Sequence, residues 1–91
     1  MVLEIVTPEA TLFKGDVDSV AVPGLNGEFQ MLKDHAPVVS LLKRGYVKVY
    51  GNIELKKDVQ DMFEKKDKGY WLPINSGTLE MNDNKVIVLA D

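Results

Sequence analysis

Short apolar runs separated by turn-forming residues set the strongest limit on what this chain can fold into. Residues 2–7 are β-branched and apolar, and Pro8 ends the run because proline has no amide to donate to a neighbouring strand. Residues 46–50 alternate, with Val47 and Val49 on one face. Similar runs occupy residues 16–22, 28–32, 38–42 and 85–90. Many short strands with regular turns predict an all-β domain, either an antiparallel sandwich or a barrel.

Three turn signals divide these runs. Pro23-Gly24 suits the two central positions of a type II turn, because proline fixes φ and glycine accepts a positive φ. Asn26-Gly27 is a second turn signal, three residues later. Asn82-Asp83-Asn84 predicts a turn before the run at 85–90, which is apolar on both faces as an interior strand would be.

One stretch breaks the pattern of strands. Residues 54–68 carry ten charges, five of each sign. The apolar members of the stretch lie at i, i+4, i+7 and i+8, which is the spacing of one stripe of an amphipathic helix. They are Leu55, Val59, Met62 and Phe63. A helix is the preferred interpretation, because Lys, Glu and Asp dominate; a long charged hairpin is the alternative.

Size and composition exclude several classes of protein. The 91 residues predict a single domain over 1–91, with little room for a deep enzyme cleft beside its core. No apolar run is long enough to span a membrane, and no secretory leader is recognisable. Cysteine is absent, which excludes disulfides and thiolate metal sites, and a net charge of −3 argues against nucleic acid as a partner. We therefore expect an intracellular domain that binds rather than catalyses.

Side chains that could carry chemistry are few. Asp34 directly precedes His35, the only histidine, and on an extended chain it points away from the imidazole that a catalytic triad would require it to reach. Residues 82–84 offer oxygen ligands but lack the loop length and distal glutamate of a calcium-binding EF-hand. Glycine-rich phosphate loops are missing. The sequence predicts no catalytic residue, no metal and no cofactor.

Aromatic residues on the predicted strands leave one alternative function open. A free-standing sandwich that binds a small ligand or sugar would use an exposed aromatic cluster on a concave face. The candidates are Tyr46, Tyr50, Tyr70 and Trp71.

The segment from Gly27 to Pro37 resembles a stretch of the epsilon subunit of F-type ATP synthases, Gly-Glu-Phe-Gly-(apolar)-Leu-Pro-Gly-His-Ala-Pro. Further matches to that family follow in order along nearly the whole chain except about residues 52–70. They are Val6-Thr7-Pro8-Glu9, Leu12-Phe13-x-Gly15, Val20-x-Val22-Pro23-Gly24, Leu42-Lys43-x-Gly45, Ser76-Gly77-Thr78-Leu79-Glu80-Met81 and Val86-x-Val88-Leu89-Ala90-Asp91.

The resemblance implies a flattened antiparallel β-sandwich of about ten strands in two sheets, with the charged stretch as an insertion at about 52–70. In the family, a C-terminal helical hairpin follows the sandwich. The sequence ends where that hairpin would begin, so the resemblance implies that the inhibitory C-terminal arm is absent.

The resemblance also implies a role and partners. The sandwich would be a non-catalytic part of the central rotor stalk that links the gamma subunit to the ring of c subunits. Through gamma it would act on the catalytic alpha/beta head and couple ion translocation to ATP synthesis. The expected location is the cytoplasmic face of the bacterial inner membrane, peripheral and without insertion into the bilayer.

Five residues carry over by position. Glu28 and Phe29 correspond to the family's contact with the c-ring, and His35, Val38 and Ser40 to its contact with gamma. The alternatives are a solvated turn carboxylate for Glu28 and a partly buried, backbone-bonded imidazole for His35.

Two departures from the family pattern bear on the local backbone. Gln30 replaces a glycine and Lys33-Asp34 replaces Pro-Gly. If those glycines supplied a positive φ, Asp34 is a tolerable substitute and Gln30 a poor one. The charged stretch is a third departure, and it would be an extended hairpin, an added helix on gamma or a solvated insertion.

Overall fold

The computed structural model describes residues 1–91 and contains ten strands and one short 3₁₀ helix. The strands are β1 (Val2–Val6), β2 (Thr11–Asp16), β3 (Ser19–Gly24), β4 (Gly27–Leu32), β5 (Val38–Leu42), β6 (Gly45–Tyr50), β7 (Glu64–Lys66), β8 (Gly69–Ile74), β9 (Gly77–Asn82) and β10 (Lys85–Ala90). The 3₁₀ helix spans Gln60–Met62. The predicted all-β fold with about ten strands is confirmed.

The strands form two five-stranded layers that are continuous at one point. The first sheet has the order β2-β1-β10-β9-β5 and the second has the order β4-β3-β6-β8-β7. A single pair, Gly24 with Leu42, joins β3 to β5 and so joins the two sheets. Neighbouring strands run antiparallel except β1 and β10, which are parallel. The N-terminal and C-terminal strands thus lie side by side in the middle of the first sheet.

The core lies between the two sheets and is built from alternate residues of the strands. Val47 and Val49 are fully buried, as the alternation in residues 46–50 predicts. Leu3 and Ile5 of β1 are fully buried on the inner face of the first sheet. The strand at 85–90 lies between β1 and β9, so its predicted interior position is also confirmed.

The turns confirm one prediction and correct another. Asp83 and Asn84 form the two-residue loop between β9 and β10, each with a positive φ. Pro23-Gly24 is not a turn, because both residues remain in β3. Gly24 pairs with Gly27, so the two residues between them complete the hairpin and one turn replaces the two predicted.

The helix predicted over residues 54–68 is wrong. Gln60–Met62 is its only helical turn, and Glu64–Lys66 pairs with β8 in a short hairpin rather than in the long charged hairpin that was the alternative. Two of the apolar side chains at helical spacing, Val59 and Phe63, are buried in the core together with Ile53, so the stretch is not a solvated insertion either. Tertiary packing overrides local propensity here, because one edge of the sandwich needs apolar filling. No helix in this fold has the length and apolar character needed to cross a membrane.

Candidate subunit-contact surface

The two sheets separate along the edge formed by β4 and β5. Both are end strands, and the Gly24–Leu42 pair is the one place where this side is closed. Beyond that pair the strands diverge and leave a cleft of about 480 Å³. Its lining includes Leu25, Phe29 and Leu41. All five residues assigned by resemblance lie on or beside this edge.

Glu28 lies on the outer face of the second sheet, next to the turn that joins β3 and β4. Its carboxylate is 2.7 Å from the ammonium of Lys48, across the intervening strand β3. The Lys48 ammonium also lies 4.1 Å from the centre of the Trp71 ring. The Glu28 side chain is 49% exposed, so it is paired within the domain and still reachable by a partner.

Phe29 points the opposite way. It pairs with Val22 and packs against the core, half-buried at the side of the cleft. The ring lies directly over Gly24, where an added Cβ would come within 2.8 Å of a ring carbon. Gly24 therefore lets Phe29 close the corner where the two sheets join.

His35 is exposed, in the loop between β4 and β5. Its Nδ1 lies 2.7 Å from the carbonyl oxygen of Ala36. Asp34 anchors this loop: its amide donates to Asn84 Oδ1 at 2.6 Å, and Asn84 Nδ2 donates to Asp34 Oδ1 at 2.7 Å. The Asp34 carboxylate is thus engaged with an amide rather than with the imidazole. The loop is fixed to the β9–β10 hairpin.

The departures from the family pattern have different outcomes. Asp34 has a φ of 63°, so it occupies the left-handed conformation expected of it. Gln30 lies within β4 and is not among the residues with positive φ, so no strain arises there. Its side-chain amide donates to the hydroxyl of Ser19 at 3.1 Å.

Val38 and Ser40 lie half-buried on the inner face of β5. Val38 is opposite Met81 and Ser40 is opposite Leu79 in the neighbouring strand β9. The Ser40 hydroxyl donates to the carbonyl of Leu41 at 3.2 Å. Both side chains face the open margin of the core.

The residues that sequence reasoning missed alternate with these two along β5. Val39 and Leu41 point out of the sandwich and are 78% and 60% exposed. Leu41 is opposite Thr78 and Thr78 is opposite Leu89, so exposed leucines flank the threonine on this face. Exposed apolar side chains that adjoin one another mark contact surfaces more often than scattered ones do. The apolar run of residues 38–42, interrupted only by Ser40, was the available signal, since a solvated edge strand would place polar residues at every second position.

The aromatic residues proposed for a ligand-binding module do not form one cluster. Tyr46 and Trp71 are neighbours on the outer face of the second sheet, with ring centres 5.5 Å apart. Tyr70 lies on the other face of β8, where it packs against the core. Lysine side chains cover the Trp71 ring, with the ammoniums of Lys48 and Lys66 at 4.1 and 5.3 Å from its centre. The arrangement is a capped surface rather than an open platform for a planar ligand.

The sequence matches a known family over its whole length. Residues 1–91 match the family described as "ATP synthase, Delta/Epsilon chain, beta-sandwich domain". The chain belongs to this family. The matched range includes residues 52–70, so the charged stretch lies inside the family's domain.

Curated relatives of this delta/epsilon-family chain include the ATP synthase epsilon chain of Campylobacter concisus, 40% identical over 89 residues. A second is the ATP synthase epsilon chain of Chlorobaculum tepidum, 39% identical over 89 residues. Each match covers 98% of this chain, but it spans 59% of the Campylobacter protein and 86% of the Chlorobaculum protein.

The delta/epsilon fold is also found in a solved structure. A chain of the Tetrahymena thermophila mitochondrial ATP synthase, in a cryo-EM structure of the central stalk and c-ring, superposes with a TM-score of 0.74. The match covers 98% of this chain and 61% of that chain at 12% identity, so it shows a shared fold.

Proposed function

We propose that this chain is a central-stalk subunit of an F-type ATP synthase. In this role it fixes the gamma subunit to the c-ring, so that ion translocation through the ring turns gamma within the catalytic alpha/beta head. The domain makes and breaks no bond itself. It acts at the cytoplasmic face of the bacterial inner membrane, held there by its partner subunits. Family membership and the names of the relatives support this role.

The observation that carries the proposal is the apolar margin along β5. Val39, Leu41 and Leu89 are exposed on one side of the domain and make up half of its six exposed large hydrophobic side chains; the other three are Leu25, Leu32 and Met62. A domain that transmits torque needs a broad contact with an apolar centre and a polar rim, and stiff packing behind it. We assign this margin, with His35, Val38 and Ser40, to gamma.

The c-ring contact is assigned to the end of β4 farthest from His35, where Glu28 and Phe29 line the same cleft as the β5 residues. Glu28 and Phe29 follow the turn between β3 and β4, whereas His35 follows the far end of β4. The half-exposed Glu28 carboxylate is suited to pair with a basic residue of a ring loop, in exchange for or in addition to Lys48. The Phe29 side chain packs against the core beneath that end.

Co-elution with purified gamma tests the role directly. We expect the chain and gamma to elute together at micromolar concentration. Separate elution at that concentration would contradict the assignment. A small-ligand module would instead bind no gamma.

Substitution of Glu28 tests the ring contact. We expect Glu28→Lys to reduce proton-driven or sodium-driven ATP synthesis by the assembled enzyme while gamma binding is retained, because repulsion replaces attraction at the ring. Lys85→Glu is the control, since Lys85 lies on the other sheet, 3.9 Å from Glu4. Normal ATP synthesis by the Glu28 variant would remove Glu28 from the interface.

A further inference from the structure

Each of the two sheets has two end strands, and the four free edges differ in how they are protected. β7 consists of three charged residues, β4 carries Glu28, and β2 carries charges and a register shift against β1. Charges and bulges of this kind prevent a free edge from pairing with another chain. The sequence of β5, Val-Val-Ser-Leu-Leu, has no charge, no proline and no bulge.

The backbone of β5 has unused hydrogen-bonding groups on its open side. The amide of Lys43, just beyond β5, donates to the carbonyl of Pro23 at 2.8 Å and so points away from β9. Successive amides of a strand point to opposite sides, so those of Leu41 and Val39 also point away from β9. No strand pairs with either residue on that side. The Leu41 carbonyl accepts the hydroxyl of its neighbour Ser40 instead.

A cleft lies beside the free edge of β5. Its volume of about 480 Å³ lies between β5 and β4, and its lining combines Leu25 and Phe29 with the exposed side chains of β5. A strand placed beside β5 would have alternate side chains directed toward Phe29 and toward the outer face at Val39 and Leu41. At both kinds of position, the surroundings favour apolar side chains in the added strand.

We propose that β5 is a strand-addition site: an extended, uncharged segment of gamma pairs with β5 through the free amides of Val39 and Leu41 and lengthens the first sheet to six strands. The inference rests on the proposed function, because it specifies how the gamma contact is made. Backbone pairing supplies the affinity, and the cleft beside Phe29 selects for small apolar side chains at alternate positions of the partner.

Amide hydrogen exchange measured by NMR tests the pairing at single residues. In the free chain we expect the amide of Ser40, which faces β9, to exchange slowly and those of Val39 and Leu41 to exchange fast. On addition of gamma, the exchange of Val39 and Leu41 slows by more than about tenfold. The amide of Met62, an exposed residue on the opposite edge, is the internal control and stays unchanged.

Two backbone variants separate strand pairing from side-chain docking. Val39→Pro removes one donor, and a chemically synthesised chain with an ester in place of the Val39 amide removes the same donor with the side chain intact. We expect either to weaken gamma binding by about tenfold or more, whereas Val39→Thr, which keeps the donor, weakens it less. If the proline variant does not fold, the affinity of the ester-containing chain for gamma tests whether strand pairing occurs.

The outcomes distinguish this inference from the function on which it rests. Absence of gamma binding by the unaltered chain overturns both. Binding of gamma with unchanged exchange at Val39 and Leu41, or with full affinity in the ester chain, overturns strand addition alone. If the amides of Val39 and Leu41 are protected from exchange without gamma, and this protection rises with protein concentration, a second copy of the chain supplies the pairing strand. That result overturns the assignment to gamma.

Discussion

The two edges at which the sheets of the sandwich meet differ in whether a chain segment covers the gap between the sheets. At one edge, residues 53–63 run beside β2 and β7, and Ile53, Val59 and Phe63 are buried in the core between the sheets, with a groove of about 460 Å³ beside this segment. At the other edge, between β4 and β5, no segment fills the gap and a cleft remains. We call these the closed edge and the open edge. The fold needs only one point of continuity, Gly24–Leu42, to hold the open edge together.

Charge content is a poor guide to which edge is packed into the core. The closed edge carries the most charged stretch of the chain, yet these charges sum to zero and its apolar residues complete the core. The open edge has an uncharged strand, and two of its apolar side chains face solvent. A charged stretch can be structural, while an apolar stretch on an end strand has surface to bury against another molecule.

The largest effect on stability is expected from removing a buried side chain at the closed edge. Phe63→Ala should lower the free energy of unfolding by about 3–5 kcal/mol, because it removes a buried aromatic side chain and leaves a cavity. Urea unfolding monitored by Trp71 fluorescence measures the change. The neighbouring substitution Met62→Ala, at a side chain 49% exposed, should cost less than about 1 kcal/mol. Equal losses for the two variants would show that the closed edge is not part of the core.

An intermediate effect is expected at the open edge, and on binding rather than on stability. The double variant Val39→Lys, Leu41→Lys should weaken gamma binding by about 2 kcal/mol or more, since it places charges in an apolar contact. Calorimetric titration measures the affinity, and urea unfolding should change by less than about 1 kcal/mol because both side chains already face water. Met62→Lys is the matched control on the closed edge. An undiminished affinity in the double variant would make the two edges equivalent as contact surfaces.

The smallest effect is expected at the loop that carries His35. Asn84→Gly keeps the left-handed backbone at a φ of 60° and removes the two hydrogen bonds to Asp34. We expect a loss of about 0.5–1.5 kcal/mol in the free energy of unfolding. A cycle of Asn84→Gly, Asp34→Gly and the double variant should give a coupling energy of about 0.5 kcal/mol or more. Strict additivity would mean that the pair does not anchor the open edge.

Strand positions were predictable because alternation and turn chemistry are local. The buried valines of β6 and the turn at Asp83-Asn84 follow from neighbours in sequence. The resemblance assigned Glu28 and His35 to two different contacts, and it is the structure that brings them to one edge. The helix prediction failed because its apolar spacing fits a helical stripe, whereas Val59 and Phe63 meet the core from an irregular segment. That choice depends on the gap between two sheets, which no local pattern encodes.

The sequence by itself therefore determined an all-β fold, since periodicity of two and turn residues act over a few positions. The resemblance to the epsilon family then narrowed this fold to a sandwich of about ten strands. Only the tertiary structure decided which strands are edges, that the N- and C-terminal strands pair in parallel, and that Lys48 holds Glu28. It also decided that Val39 and Leu41 face solvent. Edges and exposed faces are defined by pairing partners distant in the chain, and the same apolar run is a core strand or a contact surface according to whether a neighbour lies beside it.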